Sequence, residues 1–308
     1  MNRDRLRGIS AVSVSSILWG TTGTAATFAP EVGPLAIGAA ALGIGGILQA
    51  VVAMPALRRA TLQLRAHASI VLLGAVAVFA YPLAFYSSMH LAGVAIGTVI
   101  SLASAPLVSG ILERVIDQRR LGGWWASAAL LGIVGSCLLI ISSDTGQLGS
   151  QDQIMAGIGL GLIAGAAYAI YSWCVQRLMH EGVSRAASMG SVFGTGGVLL
   201  LPVLFFTGAQ LLATPQAFAV GAYMALVPMF LGYFVFGYGL SKIPASSATT
   251  ITLTEPAVAT VLAVLIVGER LTPVGWLGLS MFGVVLLILA VSPTRPASPA
   301  TARRGSPY

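Results

Sequence analysis

The sequence has very little charge. Of 308 residues only 16 are Lys or Arg and 9 are Asp or Glu, together 8%, where a soluble domain carries about 25%. Hydrophobic residues make up 56%, and the mean hydropathy is +0.91. A soluble globule of this size needs roughly three times as many charges to cover its surface. A soluble enzyme, a secreted disulfide scaffold and a disordered chain are therefore excluded. Cysteine is scarce too: Cys137 and Cys174 lie in different apolar runs at different depths, so neither a disulfide nor a CxxC-type metal site is expected. The three histidines are not paired at ligand spacing, and GxSxG, HExxH and P-loop patterns are missing. Gly157, Gly159 and Gly161 superficially resemble a phosphate loop but follow no strand and are joined by no Lys. The sequence predicts no catalytic set, no metal and no cofactor, so a non-enzyme. Alternating ten-residue segments are also lacking, which excludes an outer-membrane barrel. What remains is a polytopic helical membrane protein.

Long apolar runs fill the space the charges leave. Uncharged runs cover 8–30, 32–57, 121–143, 153–176 and 271–294, each 23 to 26 residues long. Two more, 68–89 and 91–112, are bounded by His67, His90 and Glu113. The run 186–241 breaks at 207–210 and 214–216, and 243–268 is interrupted only by Glu255. A hydrocarbon core of ~30 Å needs about 20 helical residues. The runs thus give ten spans, centred near Trp19, Gly45, Tyr81, Ser104, Leu131, Ala166, Gly196, Pro228, Glu255 and Met281. Arg3, Arg5 and Arg7 before an apolar run also fit a signal peptide, but 8–30 exceeds the usual length of such a core, and a retained first span is expected.

The net charge of +7 is explained by topology. With the N-terminus inside, 15 cations fall on inner segments and only Arg270 on an outer one, a strong positive-inside bias. That places both termini on the cytoplasmic side, and no nucleic acid is implied. The polar stretch 144–153 divides five spans from five as a periplasmic linker, and residues 292–308, rich in Pro, read as a disordered cytoplasmic tail.

The two halves, 1–143 and 154–291, are similar to each other. Tyr81 and Tyr86 align with Tyr233 and Tyr238 at an offset of 152; Pro106, Arg120 and Leu121 align with Pro256, Arg270 and Leu271 at 150; Trp125, Gly132, Val134 and Leu138 align with Trp276, Gly283, Val285 and Leu289 at 151. Five spans per half is odd, so the second half enters the membrane inverted. Inverted repeats give two similar halves that can rock about a midplane site, as alternating-access transport requires. Glycines at 157, 161 and 165, and at 190 and 194, form stripes suited to close helix packing in lipid.

Trp19-Gly20, Pro106 with Arg119-Arg120-Leu121, and Glu255-Pro256 followed by Gly268-Glu269-Arg270-Leu271 resemble the drug/metabolite transporter superfamily, and within it the ten-helix EamA-type members. The likeness covers residues 9–291; Asp117-Gln118-Arg119-Arg120 departs from the Gly-Glu-Arg more usual in the first half. The resemblance implies a cavity among helices 1, 3, 4, 6, 8 and 9 and export of a small metabolite from the bacterial cytoplasm across the inner membrane. Within the family the chain is most similar to the bacterial aromatic-amino-acid exporters.

Glu255 is the only acid near a span centre, where a charged carboxylate costs about 2.5–3.5 kcal/mol. It would attract a substrate ammonium or carry a coupling proton; the alternative is that it bonds backbone groups freed by Pro256, which donates no hydrogen bond. Trp19, Tyr81, Tyr86, Tyr168, Tyr171 and Tyr233 lie near span centres rather than at the interfaces. There their polar tips suit a wet pocket for an amphipathic organic solute, or serve helix packing. Thr22 lies beside Trp19, and Ser101, Ser104 and Thr252 add hydroxyls for substrate or for their own helices. His90, at the outer end of span three, is a gate or proton relay, or a solvated interfacial residue. The reading is an exporter of aromatic or other neutral amino acids, with another metabolite or drug as the runner-up and a membrane receptor or enzyme as the other class. Its partners are a small-molecule substrate, the lipid bilayer and protons as coupling ion.

Overall fold

In lipid every backbone polar group needs an internal partner, so apolar runs of this length fold as helices. The computed structural model describes residues 3–119, 121–142, 150–262, 264–265 and 272–291, and these contain no strand. In order they form α1 (Arg3–Ala26), α2 (Pro34–Arg59), the short α3 (Thr61–Ala66), α4 (Ala68–Ala92), α5 (Val94–Val115), α6 (Gly123–Ser142), α7 (Gln151–His180) and α8 (Arg185–Thr207). They continue with α9 (Pro215–Met224), α10 (Tyr233–Leu240), α11 (Ala245–Ile251), α12 (Glu255–Leu262) and α13 (Pro273–Val291). A π-helical segment, Ala225–Gly232, joins α9 to α10, and a 3₁₀ turn, Thr252–Thr254, joins α11 to α12.

Seven helical stretches among the described residues are long and apolar enough to cross a membrane: α2, α4, Ile96–Val115 of α5, α7, Arg185–Leu212, Pro215–Leu240 and α13. Gly123–Leu139 of α6 is apolar but shorter. α1 is diluted by Ser10, Ser13, Ser15, Ser16, Thr21, Thr22 and Thr24, and the α11–α12 pair is divided by its 3₁₀ turn. Those interruptions are themselves useful, because they put hydroxyls and free carbonyls inside the bundle.

Helix ends follow local chemistry. Ser150 and Gln153 form a reciprocal capping box at the start of α7, and Ser184 caps α8. α7 ends in a Schellman motif: Gly182, at φ 86°, lets its own N–H reach Met179 O and the Val183 N–H reach Leu178 O.

Packing relies on small residues. α2 runs along α8, where a Cβ on Gly46 would collide with the Phe193 carbonyl oxygen and one on Gly197 would lie 2.7 Å from Gly43 O. α4 packs along α7, α5 along α7, α1 along α10 and α12, and α6 along α13. The α7 stripe meets neighbours as its spacing suggests: Gly157 faces Ala92, Gly161 faces Ile100, and Gly165 faces Ser101 and Ser104. Gly190 and Gly194 of α8 receive Ala53 and Ala50 of α2. Cys174 is buried in α7, while Cys137 is exposed on α6.

The described ion pairs collect at one end of the bundle, near the turns that follow α2, α5, α7 and α10. Lys242 reaches Asp4 at 3.3 Å, Arg177 reaches Asp117 at 3.1 Å and Glu181 at 2.9 Å, and His67 lies 3.8 Å from Glu181. At the opposite end the links are neutral: Gly33 N donates to Gln210 Oε1, and Gln216 Nε2 donates to Phe28 O.

Candidate functional site

The π-helical segment sets the site's geometry. Pro228 has no N–H, so the regular helical ladder loses a donor there, and the backbone widens over Ala225–Gly232. Such widenings recur at functional sites. Three carbonyls of this segment accept side chains from neighbouring helices: Pro228 O from Trp19 Nε1 at 2.9 Å, Gly232 O from Ser15 Oγ at 2.9 Å, and Phe230 O from Gln49 Nε2 at 3.4 Å. The Trp19 indole is thereby fixed in orientation.

Around it lies a continuous aromatic cluster. Trp19 stands 4.6 Å from Tyr233, 5.1 Å from Phe236 and 6.2 Å from Tyr168 between ring centroids. Tyr81 stacks on Phe85 at 5.5 Å and touches Tyr168 and Tyr171. The hydroxyls behind the cluster are paired: Tyr171 with Tyr233 at 2.5 Å, and Tyr168 donating to Thr252 Oγ1 at 3.0 Å.

In front of the cluster is a narrow cavity of ≈ 10 Å³, about enough for one water. Trp19 and Thr22 of α1, Gly38, Ala41 and Leu42 of α2, and Tyr81, Pro82, Phe85 and Tyr86 of α4 line it on one side. Met229, Tyr233 and Glu255 close the other. Two of its polar groups have no partner. The Tyr86 hydroxyl is buried without a hydrogen bond among the described residues. Glu255 is only 6% exposed, and no described residue pairs with or hydrogen-bonds its carboxylate. Among the described residues no Lys, Arg or His lines the cavity.

Six of the sequence-predicted residues therefore share one cavity: Trp19, Thr22, Tyr81, Tyr86, Tyr233 and Glu255. Tyr168, Tyr171 and Thr252 form its hydrogen-bonded backing. Ser101 and Ser104 are elsewhere. Ser101 Oγ donates to Gly97 O and Ser104 Oγ to Ser101 O, on the face of α5 that receives Gly165. His90 is exposed at the end of α4, one helical turn beyond Tyr86. The lining also differs from the helix set that the resemblance implies: the second span contributes three residues, and the fourth and sixth contribute none. The cause is size, since the small side chains of Gly38 and Ala41 let α2 come up to the aromatic rings.

Phe85 and Met229 escaped the sequence reading, as did Gly38, Ala41 and Leu42. The small-residue spacing along α2 (Gly38, Ala41, Gly45) was the available signal. A second buried acid was also missed. Glu113, 2% exposed, ends an apolar run and so read as a boundary charge, yet it accepts from Ser246 N and Ser246 Oγ, both at 2.9 Å.

Known proteins are similar to this chain in sequence and in fold. The EamA-like transporter family matches residues 6–141 and 155–291. An uncharacterized transporter of Bacillus subtilis (strain 168), YwfM, is 33% identical over 92% of this chain and 94% of its own length. The threonine/homoserine exporter RhtA of Escherichia coli (strain K12) is 25% identical over 63% of this chain and 62% of its own. A biotin transporter of Salmonella typhimurium is 25% identical over 65% and 66%. One solved crystal structure superposes with a TM-score of 0.72 at 18% identity, covering 91% of this chain and 96% of the other, which is a likeness of fold. The family match leaves out little beyond the stretch between the halves and the tail, and the Bacillus relative aligns almost from end to end. This multi-pass helical membrane chain accordingly belongs to the EamA-like transporter family, within the drug/metabolite transporter superfamily.

Proposed function

We propose that the chain is a secondary transporter that exports small amphipathic metabolites, aromatic or other neutral amino acids, from the bacterial cytoplasm by alternating access. The observation that carries this reading is the Glu255 carboxylate, buried and unpartnered in a cavity walled by aromatic rings. A buried acid that bonds neither backbone nor side chain among the described residues is not explained by capping at Pro256. It has the chemistry to hold a substrate ammonium or a coupling proton. Trp19, Tyr81, Phe85 and Tyr233 would receive an apolar side chain, and the hydroxyls of Tyr86 and Thr22 would meet the substrate carboxylate. RhtA, a relative named for threonine and homoserine export, supports amino acids as the class. His90, one turn outside Tyr86, would gate the path or relay protons. Ser101 and Ser104 would reach substrate only after α5 shifts on α7.

The same reading takes the chain as ten spans in two inverted halves, 1–143 and 154–291, with both termini cytoplasmic. Residues 144–153 would be the periplasmic linker and 292–308 the cytoplasmic tail; 143–149 and 292–308 lie outside the described residues, as do Arg120 and Glu269-Arg270-Leu271. Packing across the halves supports it. Gly45 presses on Met229 while Gly196 presses on Val78, and both members of one contact lie 151 residues from those of the other. A Cβ on Gly43 would lie 3.7 Å from Gly197 O, and one on Gly194 3.8 Å from Gly46 O, again at an offset of 151. Reciprocal contacts of this kind are what a two-fold axis in the membrane plane produces. The two stretches matched by the family are also nearly equal in length. A cavity of ≈ 10 Å³ holds no amino acid, so loading requires the halves to part.

The test is flux. The purified protein in liposomes is offered a panel of radiolabelled amino acids with and without a pH gradient. Movement of an aromatic or neutral amino acid, cut at least about tenfold by Glu255→Gln, is the expected result. Movement of biotin or another organic solute but of no amino acid removes the substrate class, and no flux of any solute removes transport by this chain alone.

A further inference from the structure

A second fissure, of ≈ 40 Å³, lies between α2, α8 and α10, away from the aromatic cavity. Gln49, Val52 and Ala53 of α2, Arg185 and Met189 of α8, and Phe234 of α10 line it. Arg185 is the first residue of α8, and its guanidinium lies 5.2 Å from the Tyr238 ring centroid and 5.9 Å from that of Phe234. Aromatic faces hold a guanidinium in place without using its N–H groups. No acid pairs with Arg185 among the described residues, and the nearby Glu181 is engaged by Arg177 at 2.9 Å.

The backbone adds to this charge. α8 begins here, and its first N–H groups have no intrahelical acceptor. Ser184 Oγ accepts from Ala187 N and Ser184 O from Ser188 N, which leaves the amides of Arg185 and Ala186 open. Deeper in the fissure, Gln49 is 4% exposed, and its amide donates to Phe230 O while its oxygen has no partner among the described residues. Among the described residues, a cation, two open amides and the polar end of a buried glutamine thus border one slot.

The outer walls decide what fits. Val52 is 56% exposed and Phe234 45% exposed, so the slot opens sideways through apolar surface onto the bilayer. A soluble anion has no use for those walls, whereas an acyl chain does. We propose that this fissure binds an anionic phospholipid. Its phosphate sits on the Arg185 guanidinium and the first amides of α8, an ester carbonyl of its glycerol backbone accepts the second N–H of Gln49 Nε2, and its acyl chain runs along Val52 and Phe234. The charged end of the bundle carries the turn before α8, so the lipid belongs to the leaflet at that end, where negative surface charge and basic residues attract each other.

The experiment is lipid retention by the full chain, read by native mass spectrometry after mild extraction from bilayers of equal phosphatidylglycerol and phosphatidylcholine. Wild type is expected to keep phosphatidylglycerol preferentially, and Arg185→Ala to reduce that retention about tenfold, about 1.4 kcal/mol in binding. Arg58→Ala, which removes an exposed cation at the same end outside the fissure, is the control expected to retain lipid as wild type does. Thermal unfolding in detergent without added lipid confirms that each variant is folded; if Arg185→Ala is not, Phe234→Ala, which opens the apolar wall, serves in its place. Equal retention by wild type and Arg185→Ala overturns the proposal, as does equal loss in Arg58→Ala. Displacement of the lipid by millimolar inorganic phosphate would show a free-anion site instead. None of these readouts depends on solute flux, so the site stands or falls apart from the transport reading.

Discussion

Glu113 and Glu255 make a natural pair for comparison. Both are acids in apolar helices, both are buried, and both meet residues distant in the sequence. Their surroundings differ. Glu113 accepts two hydrogen bonds from Ser246, at the first turn of α11, and so completes the start of that helix. Glu255 faces a cavity and accepts none from the described residues. Burial alone would rank the two together, whereas partners separate them: a satisfied buried carboxylate belongs to the structure, and an unsatisfied one points to a ligand.

Three substitutions test that separation, beginning with the largest effect. Glu113→Ala strips the acceptor from the backbone N–H and the hydroxyl of Ser246, and a buried donor without a partner costs about 1–3 kcal/mol. The expected result is a clear fall in Tm in detergent, followed by tryptophan fluorescence. Ser246→Ala removes one of the two bonds and should cost about 1 kcal/mol. A Glu113→Ala protein that melts with wild type would mean the bonds to Ser246 hold nothing together.

Glu255→Gln should divide the readouts the other way. The amide is close to isosteric, and no described bond is broken, so Tm should stay level or rise. Flux in liposomes should fall at least about tenfold, equivalent to about 1.4 kcal/mol, and whatever remains should no longer respond to a pH gradient. If Tm drops while flux persists, Glu255 is the structural member of the pair and the assignment is reversed.

The sequence made one of these acids visible and hid the other, for a physical reason. Glu255 stands in the middle of an apolar run, so its depth could be counted off along the chain. Glu113 stands at the edge of one, and its partner Ser246 is 133 residues away; only the packing of α11 on α5 reveals it. The same limit explains the site. Trp19, Tyr81, Tyr86 and Tyr233 were legible because polar-tipped aromatics at mid-run depth are unusual. Phe85 and Met229 carry no such mark, and Ser101 and Ser104 carry an ambiguous one, since a hydroxyl in a helix can as well turn to its own carbonyls, as both do here. Helices were legible throughout from run length, except that α1 is too rich in hydroxyls for hydropathy alone. At the eighth span the sequence shows only a proline near the centre, Pro228; the π-helical widening there is a finding of the structure.

The finest test contrasts two tyrosines that differ as the two glutamates do. Tyr171 OH is paired with Tyr233 OH at 2.5 Å, whereas Tyr86 OH is buried without a partner among the described residues. Removing a bonded hydroxyl costs about 0.5–1.5 kcal/mol, but removing an unsatisfied one relieves a desolvation penalty. Tyr171→Phe should therefore lower Tm, and Tyr86→Phe should leave it unchanged or raise it slightly. If the Tyr86 hydroxyl meets the substrate carboxylate, the same substitution should raise KM a few-fold with little change in maximal flux, the signature of lost ground-state binding. Tyr171→Phe should leave KM alone. A Tyr86→Phe protein that loses stability has a hidden partner for that hydroxyl, and the cavity then offers substrate only Glu255 and Thr22.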